Sequence, residues 1–165
     1  MLASLSTFAL SALLTLTPTV NNPDDRAWSV QRPSRGAHAA PVLAAATIPP
    51  TWRPFAACVL DRESGGTLTR PQSGVAARNP SSSASGRWQF LDTSWRRGLA
   101  YMVKDRLIRS GMPRAQARTV RQYLQATHIS QWPGPFQDAG FAEVVERGGW
   151  FHWSLPGSRC NALHR

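Results

Sequence analysis

Phe55-Ala56-Ala57-Cys58-Val59-Leu60-Asp61-Arg62-Glu63-Ser64-Gly65-Gly66 is the stretch on which the fold of this chain turns. Its spacing predicts a short helix that stops at a glycine pair. Pro54 suits the first turn, where its missing N–H costs nothing, and Gly65-Gly66 suit the C-terminal cap. At about 100° per residue, Ala56, Val59 and Leu60 fall within about 60° of Glu63, while Asp61 points to the far side. One carboxyl is thus set on an apolar face at the C-terminal end of a helix. Apolar neighbours disfavour a carboxylate, and so does the partial negative charge of a helix C-terminus. The alternative for Glu63 is a structural one, capping a loop amide or pairing with Arg62, Arg70 or Arg87.

Outward from this helix, Thr67 to Gly86 is polar and rich in chain breakers, which predicts an extended loop or short hairpin. A second helix is expected from Asp92 to Arg109, with Asp92 or Thr93 as its cap and Trp95, Leu99, Met102, Val103 and Leu107 on one face. Pro113 opens a third, with Ala117, Val120, Tyr123 and Leu124 inward and Arg114, Arg118 and Arg121 outward. After Pro133-Gly134-Pro135 a shorter helix is expected from Phe136 to Arg147, stopped by Gly148-Gly149. The tail from Trp150 to Cys160 is aromatic and irregular. The class is mainly α, with a long loop or short hairpin after the first helix.

The 165 residues allow one domain and a leader. Residues 1–22 read as the apolar core of a signal peptide without its basic n-region. Residues 23–50, rich in Pro and Ala, read as a disordered linker. The folded domain is expected over 51–165. The net charge is +10, and Lys104 is the only lysine. Such a surface attracts polyanions and anionic cell surfaces. Arginine excess can equally reflect the base composition of a genome. Cys58 and Cys160 are either two free thiols or a disulfide, and an exported chain favours the disulfide. That bridge would close a loop of about a hundred residues, worth on the order of 4–5 kcal/mol in the chain-entropy model. It would strap the tail to the back of the first helix, about 140° around from Glu63.

Three segments together carry a resemblance: Cys58-x4-Glu63-Ser64-Gly65-Gly66, then Asn79-Pro80-Ser81-Ser82-Ser83-Ala84-Ser85-Gly86-Arg87-Trp88-Gln89-Phe90, then Thr93-Ser94-Trp95. Over about residues 52–100 the chain resembles the transglycosylase-like domain of actinobacterial cell-wall enzymes. That group includes the resuscitation-promoting factors and is related to goose-type lysozymes and soluble lytic transglycosylases. The resemblance implies a lysozyme-like fold and cleavage of the β-1,4 bond between N-acetylmuramic acid and N-acetylglucosamine, with Glu63 as the catalytic acid. It implies Gln89, Ser94 and Ser64 as cleft residues. Trp88, standing where the family has Tyr or another large residue, is the expected sugar platform. Trp95, Trp132, Trp150 and Trp153 are further aromatic candidates, Trp95 being assigned to the core by its spacing. Segment 98–140 matches no pattern of the family.

The implied partner is the peptidoglycan glycan strand, met outside the cell or at its wall, in a bacterial or phage setting. No cofactor, metal, integral membrane partner or nucleic acid is expected, and a monomer is. His128 and His152 lack metal-ligand spacing. Asp92, the one other acid near the motif, is more simply a helix cap. The alternatives are a non-catalytic wall-binding module, or a basic nucleic-acid-binding protein inferred from charge alone.

Overall fold

The computed structural model describes residues 39–163. The expected signal segment 1–22 and most of the expected linker lie outside them. Five helices form the body: α1 (Ala39–Ala46), α2 (Arg53–Ser64), α3 (Asp92–Arg109), α4 (Arg114–Ala126) and α5 (Gly134–Glu146). A two-stranded antiparallel sheet, β1 (Ala84–Ser85) and β2 (Phe90–Leu91), pairs Ala84 with Leu91 and Ser85 with Phe90. Short 3-10 turns complete the chain. The class is mainly α, as expected. No helix among the described residues is long and apolar enough to cross a membrane.

The linker expected over 23–50 is too long at its C-terminal end, because 39–46 is helical. Val42, Ala45 and, beyond the helix, Ile48 are buried against the body of the protein. An alanine-rich octet has high helix propensity but is too short to hold a helix alone. Tertiary contacts supply the remainder. Arg106 on α3 donates from Nε to Ala45 O at 2.6 Å and from Nη2 to Thr47 O at 3.1 Å. These bonds satisfy carbonyls that a helix end leaves open, with a cation where the helix dipole favours one.

Helix α2 is built as its sequence dictates. Proline lies in its first turn, and Gly65 closes it in the left-handed region at φ +64°. The Gly65 N–H reaches Asp61 O at 3.0 Å, the bond of an αL stop, and the Gly66 N–H reaches Leu60 O at 3.3 Å. Phe55, Ala56, Val59 and Leu60 are buried. Cys58 is bonded to Cys160, 102 residues away, with Cα atoms 5.6 Å apart. The C-terminal turn Arg159–Leu163 is thereby held against α2.

Helix α5 is the centre of the molecule. Every residue from Gly134 to Val145 is buried, so its polar side chains must find partners inside the protein. Gln137 donates from Nε2 to Ile129 O and Trp132 O, at 3.0 and 2.8 Å, and accepts the Arg87 N–H at 2.8 Å. Asp138 accepts the Trp88 indole N–H at 2.9 Å and lies 2.9 Å from Arg87 Nε. That last contact is an ion pair rather than a directed hydrogen bond, since Nε makes none. Glu143 is held by Arg147, Arg109 and Arg106. Arg87 itself is fully buried. Its guanidinium donates to Thr67 O and Arg70 O, each at 3.1 Å, and to Pro71 O. The loop after α2 is thus ordered by an arginine beneath it.

Two expected outcomes follow from α5. A Cβ at Gly134 would lie 1.6 Å from Pro71 O, a backbone atom that cannot give way, whereas one at Gly98 would meet nothing within 4 Å. Gly134→Ala should destabilise by at least about 2 kcal/mol, and Gly98→Ala, inside exposed helix, should stabilise by about 0.5–1 kcal/mol. Denaturant unfolding of the two variants checks both signs. The second outcome concerns pH. Burial pushes the Asp138 carboxyl up to about 7, against the opposing pull of Arg87 and the Trp88 N–H. A carboxyl raised on folding contributes stability that is fully present below its unfolded value and is lost as pH rises through the folded one. Between about pH 4 and 7 the wild type should therefore lose stability more steeply than Asp138→Asn, which should be weaker overall but flatter. Thermal melts across that range measure the slopes, and parallel curves would refute the assignment.

Candidate functional site

Glu63 sits in the last turn of α2, with its side chain 21% exposed. It opens into a groove of about 220 Å³. Gln89, Phe90 and Leu91 form the hairpin side of this groove, Trp95 comes from the first turn of α3, and His152, Trp153 and Leu155 come from the tail. Three chain segments distant in sequence meet there, and each is positioned for a local reason.

The hairpin side depends on a four-residue loop, 86–89, between β1 and β2. The Gln89 N–H returns to Gly86 O at 3.1 Å. Gln89 is in the left-handed region at φ +52°, the only non-glycine residue there among those described. Such a conformation costs a side-chain-bearing residue about 1–2 kcal/mol, and strain of this kind clusters at functional positions. The Gln89 amide donates from Nε2 to Gly86 O at 2.9 Å. This fixes the side chain beside the groove with Oε1 unbonded to protein among the described residues.

The tail side depends on Arg62 and the disulfide. Arg62 donates from Nη1 to Ser158 Oγ at 2.7 Å and from Nη2 to Trp153 O at 2.9 Å. The same guanidinium pairs with Glu63 Oε1, 2.9 Å from Nε. One of the structural roles open to Glu63 in the sequence, pairing with Arg62, is therefore realised. Only Oε1 is engaged, and Oε2 has no protein partner among the described residues. Trp153 lies beneath the tail with its indole N–H on Trp88 O at 2.8 Å. The His152 ring meets Trp95 edge-on at 4.5 Å between centroids. Desolvation by its neighbours lowers the His152 pKa, which favours the neutral imidazole.

Of the five residues expected in a cleft, the groove brings together Glu63 and Gln89. Trp88 is not a surface platform. It is fully buried, stacked on Phe141 at 3.7 Å with an interplanar angle of 16°, and its N–H is spent on Asp138. Ser64 is a structural link: its hydroxyl donates to Arg87 O at 2.8 Å, and it does not line the groove. Ser94 is exposed in the first turn of α3 but also lies outside the lining. Trp132, another aromatic candidate, is in the core with its N–H on Leu124 O at 3.0 Å.

Spacing assigns Trp95 to the core and gives His152 no role; Trp95 does pack against the core, and both residues also line the groove. Their signal in the sequence was indirect. A Cys58–Cys160 bridge carries the residues just before Cys160 toward α2, and the aromatic run Trp150-Phe151-His152-Trp153 lies there.

The other nearby acids are engaged elsewhere. Asp61 is exposed and pairs with Arg159 at 3.1 Å. Asp92 is buried, accepts the Ile129 N–H at 2.8 Å and pairs with Arg96 at 3.2 Å. It ties α3 to the 129–131 turn instead of facing Glu63. Among the residues lining the groove, Glu63 is the one carboxyl. Chemically the groove offers one carboxyl oxygen, one amide oxygen and several aromatic rings, a set suited to a neutral, hydroxyl-rich ligand with apolar faces. Comparison with models of protein families, with curated proteins and with solved structures found no match to this chain.

Proposed function

We propose that the groove binds a peptidoglycan glycan strand and cleaves its β-1,4 MurNAc–GlcNAc bond, with Glu63 as acid and then base, in a protein exported to the cell wall. The observation that carries this reading is the meeting of Glu63 and Gln89, 26 residues apart in the motif, on the two sides of one aromatic-walled groove. A buried central helix, with a short hairpin beside the C-terminal end of α2, accords with the lysozyme-like fold that the sequence resemblance implies. The disulfide accords with an oxidising compartment.

In the proposed reaction Glu63 gives a proton to the glycosidic oxygen, the C1–O bond breaks, and positive charge develops at C1. A two-carboxylate mechanism needs a second acid across the bond, and the lining holds one carboxyl. This favours capture of C1 by the muramic acid's own 6-hydroxyl, whose proton returns to Glu63. The product is a 1,6-anhydro end, with no water consumed.

A second reading rests on the Arg62 contact. An ion-paired Glu63 suits a module that binds glycan without cleaving it, the carboxylate accepting hydroxyl hydrogen bonds. Digestion of purified peptidoglycan by wild type and Glu63→Gln, followed by mass analysis of the fragments, separates the two. Cleavage predicts fragments lighter by one water than hydrolytic ones, and a fall in rate of about 10²–10⁴ in Glu63→Gln with strand binding retained. Binding without fragments from the wild type would replace the first reading with the second, and neither binding nor fragments would sink both.

A further inference from the structure

A second groove, larger than the first, lies elsewhere among the described residues. Between the C-terminal half of α3 and the start of α4 lies an open groove of about 470 Å³. Its cations are Lys104, Arg109, Arg114, Arg118 and Arg121. The sequence already sets Arg114, Arg118 and Arg121 outward on one helix; the fold adds Lys104 and Arg109 from α3. From Trp95 in the Glu63 groove to Arg109 in this one is about 20 Å along α3, at 1.5 Å per residue.

The charges are not balanced internally. Lys104 is paired with Asp105 at 2.8 Å, and Arg109 with Glu143. Arg114 and Arg118 make no hydrogen bond or ion pair among the described residues, and Arg121 Nε is buried without a hydrogen-bond partner. These three stand at i, i+4 and i+7 of α4, within about 60° of arc and over about 10 Å of axis. Helix α4 carries no acidic residue. Like charges at this spacing repel one another and weaken a helix, so an anion spanning them relieves a strain that the protein alone leaves in place.

We infer that this groove binds the backbone of a phosphodiester polymer. Arginine's planar fork suits phosphate oxygens, and three cations in line suit repeated charges better than a single anion. Recognition stops at the backbone. The exposed aromatic beside the groove, Tyr101, already has Arg121 over its ring at 4.7 Å and Lys104 at 5.4 Å, so its face is not free to stack a base. A polyol-phosphate polymer of a cell wall, which presents repeated phosphodiesters without bases, is the occupant this favours, and a nucleic acid is the alternative the test excludes. The inference does not depend on the activity proposed for Glu63.

The test is fluorescence anisotropy of the full chain with a labelled abasic deoxyribose-phosphate oligomer, titrated at several salt concentrations. Arg114→Gln/Arg118→Gln/Arg121→Gln should bind at least about tenfold more weakly and lower the log–log salt slope by about two, at about 0.7 per phosphate released. Arg118→Glu, at an exposed position that leaves packing intact, should weaken binding in the same direction. A control triple of exposed arginines elsewhere, Arg53, Arg70 and Arg97 to Gln, should retain most of the affinity. Displacement by poly(glycerol phosphate) more strongly than by duplex DNA is the expected result, and the reverse would overturn the inference in favour of a nucleic acid. Equal loss in the control triple would reduce the effect to net charge and overturn the inference. Stronger competition by polyglutamate, or by phosphatidylglycerol vesicles, would overturn it in favour of an acidic protein or a membrane.

Discussion

The constraint on which the rest of this structure depends is a helix buried on every side that carries three polar side chains. Dry packing alone would favour an apolar α5. With Gln137, Asp138 and Glu143 in it, each surrounding element must bring a hydrogen-bond donor to a fixed place. Gln137 takes the Arg87 N–H, Asp138 takes the Trp88 indole, and Glu143 takes arginines from α3 and from beyond its own C-terminus. The hairpin loop is therefore positioned from below, by α5, rather than by its two short strands. Two residue pairs of sheet could not fix it alone. Gln89 adopts its left-handed conformation because Arg87 and Trp88, immediately before it, are anchored downward.

This explains how much of the molecule was legible in its sequence. Local signals sufficed for α2, with proline at one end and two glycines at the other, and for the apolar faces of α3 and α4. The disulfide was legible from two cysteines and a secretory leader pattern. Helix α1 was not, because its stability lies in burial of Val42 and Ala45 and in carbonyls held by Arg106, 61 residues beyond Ala45. Trp88 was misplaced for a related reason. An aromatic beside a motif glutamine looks like a cleft residue, and only the buried acid at Asp138, fifty residues later, shows where its N–H goes. Local pattern identified Glu63 and Gln89. The rest of the groove came from the tail, whose path is set by a covalent bond and by Arg62.

The arginines divide by task, and net charge by itself conceals the division. Arg62 joins α2 to the tail, Arg87 holds the loop after α2, and Arg106 closes α1 and reaches Glu146. Each of these guanidiniums serves several acceptors at once, which lysine's single ammonium cannot match in geometry. Their charge is directed into the protein. Of the cations left outward, Arg53, Arg70 and Arg97 are spread over the surface, whereas Arg114, Arg118 and Arg121 stand together on one face of α4, a helix without an acid, so the formal +10 conceals a local concentration.

Arg62 bears most directly on the groove. It is adjacent in sequence to Glu63, yet its other bonds go to Ser158 and to the carbonyl of Trp153, which are tied to α2 through Cys160. A ligand that took up the Glu63 carboxyl would compete with one of the three demands on that guanidinium. Two of them, to the tail, lie within the loop closed by the disulfide and so carry little further entropic cost to keep. The contact to Glu63 is one a ligand can exchange without moving backbone, whereas the bond to the Trp153 carbonyl is not. The strap on the far side of α2 therefore does more than close the chain: it holds Arg62 in place while Glu63 stays free to turn toward whatever enters the groove.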